Sequence, residues 1–348
     1  VAKKQKLIGL DIGTSEVRCV EVSVTGVGEE IAVTGFGYAA VEDQTKRKEA
    51  ILAALNRGGI KTRRVVTAVS GRLVPVRYVT MPRMPDEKLR EAVMVEANKY
   101  IPFEVDQAVI DCEMLAEEPL AEGQEPSSEV AVRLAAVKRD IIEEHVGELG
   151  EAGLYPIIID HDCFALGNAF EFREMYKPEG EREKRVIALV DVGGEKTSIN
   201  VMSGLNSFFT REVPGGGVGL TESIARRLSI NNEEAEELKK NPGENAEEVM
   251  EAVLGPLDDL MSEISLSFDY FENQHEKLVE EVLISGGTSQ LAGIMEVFQQ
   301  HFGKPTNFWD PLEGLKLELP AHQMGQLKSH VRTVPVALGL AARVGTLS

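Results

Sequence analysis

The sequence predicts an α/β fold of two lobes with one topology, facing each other across a cleft, with an α+β unit inserted into the first lobe. Three observations carry this reading. A strand-turn-strand signature near the start recurs in the middle of the chain, a glycine-rich strand-to-helix junction follows it, and a proline-punctuated block interrupts the first lobe.

The repeated signature is Leu7-Ile8-Gly9-Leu10-Asp11-Ile12-Gly13-Thr14-Ser15, echoed by Ala188-Leu189-Val190-Asp191-Val192-Gly193-Gly194. In each copy an apolar, β-branched run ends in Asp, Ile or Val, and Gly, and a second apolar run returns, Val17 to Val22 or Ile199 to Met202. That is the pattern of a buried hairpin closed by a tight turn. Two such hairpins at equivalent places imply two lobes, each opening with a turn of the same kind.

After the first hairpin, Glu49 to Leu55 has helical periodicity, and Arg64 to Gly71 reads as a buried strand ending at glycine, which gives a βββαβ opening. Val74 to Met81 alternates as a strand, and Pro82-Arg83-Met84-Pro85 breaks it. Asp86 and Glu87 then occupy a helix start, where carboxylates meet the positive end of the dipole. Leu89, Ala92, Val93, Ala97 and Tyr100 share one face of that helix, which Pro102 ends. Strands at Ala108 to Leu115 and Glu129 to Val137, a polar loop from Glu117 to Ser128 and a helix from Asp140 to Glu148 complete the inserted unit. Tyr155 to Asp160 resumes a buried strand, and the breaker-rich stretch from Tyr176 to Lys184 separates the lobes. The expected division is 1–72 with 154–180 and 329–348 for the first lobe (subdomain 1A), and 73–153 for the inserted unit (1C). The second lobe takes 181–213 with 281–328 (2A), and 214–280 form a helical flank (2B). The acidic helical stretch Asn231 to Ala252, broken at Asn241-Pro242-Gly243, most simply reads as a solvated face.

Composition excludes several classes of function. A formal net charge of −20 repels nucleic-acid backbones and anionic lipid, and the loose cluster Arg63, Arg64, Arg72, Arg77 and Arg83 reads as solvated strand ends. Cys19, Cys112 and Cys163 show no paired spacing, which suits a reduced, cytoplasmic compartment, and the six histidines never reach metal-ligand spacing. No secretion signal is expected in the short basic start, Val1 to Gln5, and no apolar run reaches the roughly 18–20 residues that span a bilayer. Direct membrane insertion is therefore not expected.

Gly13, Thr14 and Ser15 offer amides and hydroxyls in a concave turn suited to phosphate oxygens, and Asp11 stands ready for a hydrated metal. Asp191, Gly193, Gly194 and Thr197 or Ser198 supply the symmetric half. Two carboxylates on facing turns share one Mg²⁺ through its waters. In Ile284-Ser285-Gly286-Gly287-Thr288-Ser289, a strand ends in paired glycines before a helix start, letting backbone lie flat against a base and sugar.

In this order the three motifs resemble the phosphate-1, phosphate-2 and adenosine motifs of the actin-like ATPase superfamily. Asp160 to Ala169 and Val334 to Ala341 match its two connecting helices. Within the superfamily, Glu96 to Phe103, the inserted unit and Phe268-Asp269-Tyr270-Phe271 are similar to the PilM family of type IV pilus assembly. The resemblance implies two actin-like, ribonuclease H-like lobes around a nucleotide cleft that takes ATP and Mg²⁺. It implies nucleotide-binding roles for Gly215, Gly216 and Gly217, with Glu236 on the ribose hydroxyls and Lys239 beside the adenine. Arg18 stands where relatives usually carry a lysine near the β/γ-phosphates, a planar donor in place of a point charge. Asp160 occupies the position from which related enzymes orient an attacking water, and its strand-to-helix junction equally suits a helix cap. With no second carboxylate, arginine finger or lid evident, any turnover is expected to be slow.

The implied role is a cytoplasmic adaptor, non-filamentous or weakly self-associating, held at the inner membrane by the tail of a PilN-like protein and other pilus platform proteins. The alternatives are a small-molecule kinase and an FtsA-like filament. Against the filament, the sequence carries no basic amphipathic helix after Ala341 of the kind that anchors FtsA.

Overall fold

The computed structural model describes residues 5–25, 30–115 and 127–344. Nearly all of the loop expected from Glu117 to Ser128, the first four residues of the basic start and the last four of the chain lie outside that set. The first lobe opens with β1 (Gln5–Ile12), β2 (Glu16–Thr25), β3 (Glu30–Ala40), α1 (Arg47–Arg57) and β4 (Arg64–Val69). The inserted unit follows as β5 (Val76–Pro82), α2 (Asp86–Glu96), β6 (Ala108–Met114) and β7 (Glu129–Lys138). Then come α3 (Arg139–Glu151), β8 (Tyr155–His161) and α4 (Asp162–Met175). The second lobe holds β9 (Val186–Val192), β10 (Lys196–Ser203), β11 (Asn206–Pro214), α5 (Gly217–Leu228), α6 (Asn232–Lys240), α7 (Ala246–His275), β12 (Glu281–Ser285), α8 (Ile294–Phe302) and β13 (Thr306–Phe308). The chain returns through β14 (Lys316–Leu317), α9 (Ala321–Ser329) and α10 (Pro335–Ala342).

Three sheets result, in the orders β14-β3-β2-β1-β4-β8, β11-β10-β9-β12-β13 and β5-β7-β6. In both large sheets an antiparallel hairpin feeds a parallel neighbour, β1 onto β4 and β9 onto β12. The two-lobe repeat expected from the hairpin motifs is thus a repeat of topology. Among the described residues no helix is long and apolar enough to cross a membrane.

Two expected boundaries move. Lys316 and Leu317 pair in parallel with Ala32 and Val33, and Leu312 and Leu327 are buried in the first lobe's core. The first lobe therefore resumes well before 329, because the edge of β3 has backbone groups to satisfy. The helix expected to close the inserted unit, α3, instead buries Leu149 with Ile8, Leu10 and Val65 of the first lobe. The inserted unit's own core consists of α2 against three strands, with Leu89, Val93, Val132 and Leu134 at its centre.

The connecting helices cross tightly. At Gly339 of α10, an added Cβ would stand 1.7 Å from the carbonyl oxygen of Ala165 in α4, so only hydrogen fits. Helix α4 also touches the other lobe. Leu166, Ala169 and Phe170 are buried with Ile187, Leu189 and Met202, and Asn200 donates to the Cys163 carbonyl at 2.7 Å. One helix is therefore packed into both lobes and fixes where their turns meet.

Candidate functional site

The two hairpin turns are built alike. The Gly13 amide donates to the Glu16 carbonyl at 3.0 Å, and the Gly193 amide donates to the Lys196 carbonyl at 3.0 Å. The amides of Thr14, Ser15, Gly194 and Glu195 have no acceptor among the described residues. Successive unpaired amides in a turn form a concavity for anions. The turns also meet, since a Cβ on Gly194 would lie 2.6 Å from Thr14 Oγ1. Glycine is required there for the lobes to approach.

Behind each turn sits its carboxylate. Asp11 lies opposite Arg18 across β1 and β2 and accepts from Arg18 Nη1 at 3.1 Å. Its side chain is 13% exposed. Burial pushes its carboxyl up to about 7, although Arg18 pulls the other way, and nearby Asp162 and Asp191 add to the rise. Asp191 accepts from Ser285 Oγ at 2.7 Å, and burial raises it too, against the opposing pull of Ser285 and Arg18. Burial also works on Asp162, but Lys196 outweighs it and holds that carboxyl below its usual range. Arg18, expected at the phosphates, is committed to Asp11 and lies 2.8 Å from Glu16, so it serves the carboxylate directly.

Lys196 was not singled out by the sequence. Its ammonium bonds Asp162 at 2.6 Å and Glu212 at 3.0 Å and also contacts Ser70, so a residue of the second turn bolts the lobes together. Alternation along β10 carries the missed signal. Thr197, Ile199 and Val201 point into the second lobe's core, whereas Lys196, Ser198 and Asn200 take the other face. The same alternation corrects Thr197, expected to offer its hydroxyl to phosphate. It is fully buried and donates to the Gly215 carbonyl at 2.9 Å.

The segments expected at the nucleoside lie around the second turn. Gly217 and Val218, which begin α5, donate to the Gly193 and Gly194 carbonyls at 3.0 and 2.8 Å, and Thr288 Oγ1 donates to the Gly193 carbonyl at 2.7 Å. A Cβ on Gly216 would stand 2.3 Å from the Gly193 oxygen. Gly286 takes φ 94°, and its amide donates to Arg332 of the returning chain, while Gly287 is exposed beside it. The acidic helix α6 is not simply a solvated face. Lys239, 11% exposed, donates to the Gly217 carbonyl at 2.9 Å and to Thr221 at 2.7 Å, and is paired with Glu236 at 2.5 Å. Glu236 and Lys239 thus lie beside the glycine segments, and Thr221, to which the sequence assigns no role, joins them.

Asp160 is turned away from this assembly. Its Oδ1 accepts from the His161 amide at 2.9 Å, its Oδ2 accepts from Asn168 at 3.3 Å, and Arg343 lies 3.7 Å off. Nor is it the cap of α4, a role taken by His161, whose Nδ1 accepts from the Cys163 amide. The connecting-helix carboxylate that faces the turns is Asp162.

A family described as type IV pilus assembly protein PilM matches residues 9–344. The chain belongs to the PilM family. Its fold is shared by a solved PilM-PilN type IV pilus biogenesis complex, 28% identical with a TM-score of 0.81, covering 97% of this chain and 98% of that one. Cell division protein FtsA of Bacillus subtilis (strain 168) is 24% identical over 264 residues, 68% of this chain and 58% of FtsA. The chain thus spans less than two thirds of that relative's length. MreB5 of Spiroplasma citri, solved with AMPPNP, superposes with a TM-score of 0.50 at 12% identity over 99% of this chain and 97% of MreB5, which extends the likeness to the actin-like fold.

Proposed function

We propose that this PilM family protein binds ATP with Mg²⁺ between its lobes and acts as a cytoplasmic adaptor of pilus assembly, its nucleotide state setting its grip on a PilN-like tail at the inner membrane. The observation that carries the reading is the pair of matched turns with four unpaired amides, backed by two buried carboxylates whose charge is only partly compensated. Such a site is short of a cation and has donors for an anion. Among the described residues no three acidic, His or Cys side chains form a ready-made metal cage, and Mg²⁺ needs none because it keeps most of its waters. Asp11 and Asp191 would hold it through that shell, and bound Mg²⁺ would neutralise phosphate charge. Thr14, Ser15, Gly194 and Glu195 would cradle the phosphates, and Gly217, Glu236, Lys239, Gly286 and Gly287 would face the nucleoside. Asp162, in place of Asp160, is positioned to orient water, but Lys196 holds it, which suits slow turnover.

For the tail, β8 offers a sheet edge with no further strand beyond it among the described residues, and Tyr155 at its start is 67% exposed. Arg133 of the inserted unit is stacked 4.1 Å over Phe164 of α4, the helix that follows β8, and would wall the peptide on its other side. An extended peptide would add to this edge by backbone pairing. The nucleotide test is a melting shift. ATP at about 100 times its Kd should add about 2.7 kcal/mol of stability, and Asp11→Ala with Asp191→Ala should abolish the gain. An unchanged shift in the double variant would refute the cleft as the site. For the tail, loss of capture when residues 76–138 are replaced by a short linker, with ATP binding kept, is the expected result.

A further inference from the structure

Beside the two turns a polar network joins the lobes. Ser70 and Gly71, which follow β4, and Asp162, which opens α4, belong to the first lobe, whereas Lys196 of β10 and Glu212 of β11 belong to the second. Ser70 Oγ donates to Asp162 at 2.8 Å, the Gly71 amide donates to Glu212 at 3.2 Å, and the Lys196 ammonium bridges both carboxylates and contacts Ser70. These side chains are largely shielded from water, so salt screens their pairing little. The network is also tied to both turns. The Lys196 carbonyl accepts from the Gly193 amide at 3.0 Å, and β4 lies parallel beside β1, which leads through Asp11 into the Gly13 turn. A motion that parts the turns therefore draws Lys196 away from Asp162.

Parting is what a nucleotide needs. Thr14 Oγ1 stands 2.6 Å from where a Cβ on Gly194 would lie, so the turns touch, whereas a phosphate oxygen held from both sides needs a hydrogen bond of about 2.9 Å on each. We infer that Lys196 is a bolt that keeps the ligand-free lobes shut, and that nucleotide enters only when the ammonium lets go of Asp162 and Ser70. This regulation rests on the reading that the phosphates lie between the turns. Beyond the effect of burial, Asp162 raises the carboxyls of both Asp11 and Asp191, which puts it within electrostatic reach of a cation between them. Such a cation competes with Lys196 for Asp162. Apparent affinity is the intrinsic affinity scaled by the fraction of protein that is competent to bind, so the bolt weakens nucleotide binding by holding that fraction down.

The test pairs hydrogen exchange of the ligand-free, full-length protein with titration of ATP and Mg²⁺. Lys196→Met keeps the apolar stem and removes the ammonium. The Gly71 amide, which donates across the lobes to Glu212, should then exchange about tenfold faster or more, and ATP should bind about tenfold more tightly. Lys196→Arg should behave as the parent. Unchanged exchange in β12 and α7 checks that the fold is intact. Should Lys196→Met fail to fold, Glu212→Gln loosens the same network without stranding a buried charge and should move both readouts in the same direction. Parental exchange at Gly71, or unchanged ATP affinity in a parent that does bind ATP, would overturn the bolt. Weaker ATP binding by Lys196→Met would also overturn it, by making the ammonium a phosphate ligand. Faster Gly71 exchange with no ATP-induced melting shift in the parent would instead show the lobes bolted and refute the reading of the cleft.

Discussion

The hydroxyl of Tyr78, in the first strand of the inserted unit, accepts from the Thr210 amide at 2.5 Å and lies 2.9 Å from Thr210 Oγ1 on the edge strand of the second lobe. The Tyr78 ring stacks on Phe209 at 5.7 Å, and Arg133 reaches Ser207 at 3.3 Å. Burial pushes the Tyr78 hydroxyl up to about 12, against the opposing pull of Arg133, so it stays a neutral partner. The inserted unit grows out of the first lobe but is buttoned to the second. Tyr78→Phe keeps the packing and strands the Thr210 amide, so it should cost about 1–3 kcal/mol in urea unfolding. Tyr100→Phe, which loses only a 3.3 Å bond to the partly exposed Glu96, should cost much less.

Asp11 ties stability to pH. Its folded carboxyl titrates near 7 against an ordinary value of 3.8, so between those values the folded state keeps a proton that the unfolded chain has lost. The stability this proton contributes is present below the unfolded value and is lost as pH rises through about 7. Asp11→Asn removes the titration. In ligand-free protein, the variant's stability relative to the parent should therefore climb between pH 4 and 7, by on the order of 2–4 kcal/mol. Mg²⁺ with ATP needs the carboxylate, so the parent's ligand-induced shift should grow over the same interval. Denaturant unfolding at several pH values tests both.

Asp162 and Asp160 are separable by kinetics. Asp162→Asn should reduce ATP turnover at least tenfold, whereas Asp160→Asn, at a carboxylate facing Asn168 and Arg343, should leave turnover nearly unchanged. A single-turnover phosphate-release assay distinguishes them. Equal losses in both variants would remove Asp162 from its proposed role.

Gly339→Ala places a methyl against the Ala165 backbone oxygen, where no rotamer can relieve the overlap. The loss should be about 3 kcal/mol or more, visible as a lowered melting temperature, because backbone on both helices must shift. Gly71→Ser probes the contrast. Space around Gly71 is open, although its φ of 100° disfavours a side chain, so conformational strain alone should act there.

What the sequence reveals here divides along local and non-local lines. The turns at Gly13 and Gly193 are written in adjacent residues, and their hairpins follow from apolar alternation. The place of Thr197 is equally legible, because it shares the core-facing parity of Ile199 and Val201. Asp160 and Asp162 are harder. They straddle the point where β8 becomes α4, and the direction each carboxylate takes depends on how the strand hands over to the helix. The partners of α3 and β14 are harder still, since nothing in Leu149 or Leu317 says which distant sheet will bury it.

The pairing of Lys316 and Leu317 with the first lobe also orders the birth of the molecule. From β9 through β13 the second lobe is one unbroken stretch, complete once the ribosome has released the chain to Phe308. The first lobe, begun earlier, must wait for β14 and for α10, which covers β1. The half that starts first therefore finishes last, leaving the apolar back of β1 and β2 uncovered while its sibling is already folded. Chains that end between Phe308 and Lys316 should present one native lobe and one sticky one, and these are the species a holding chaperone would meet.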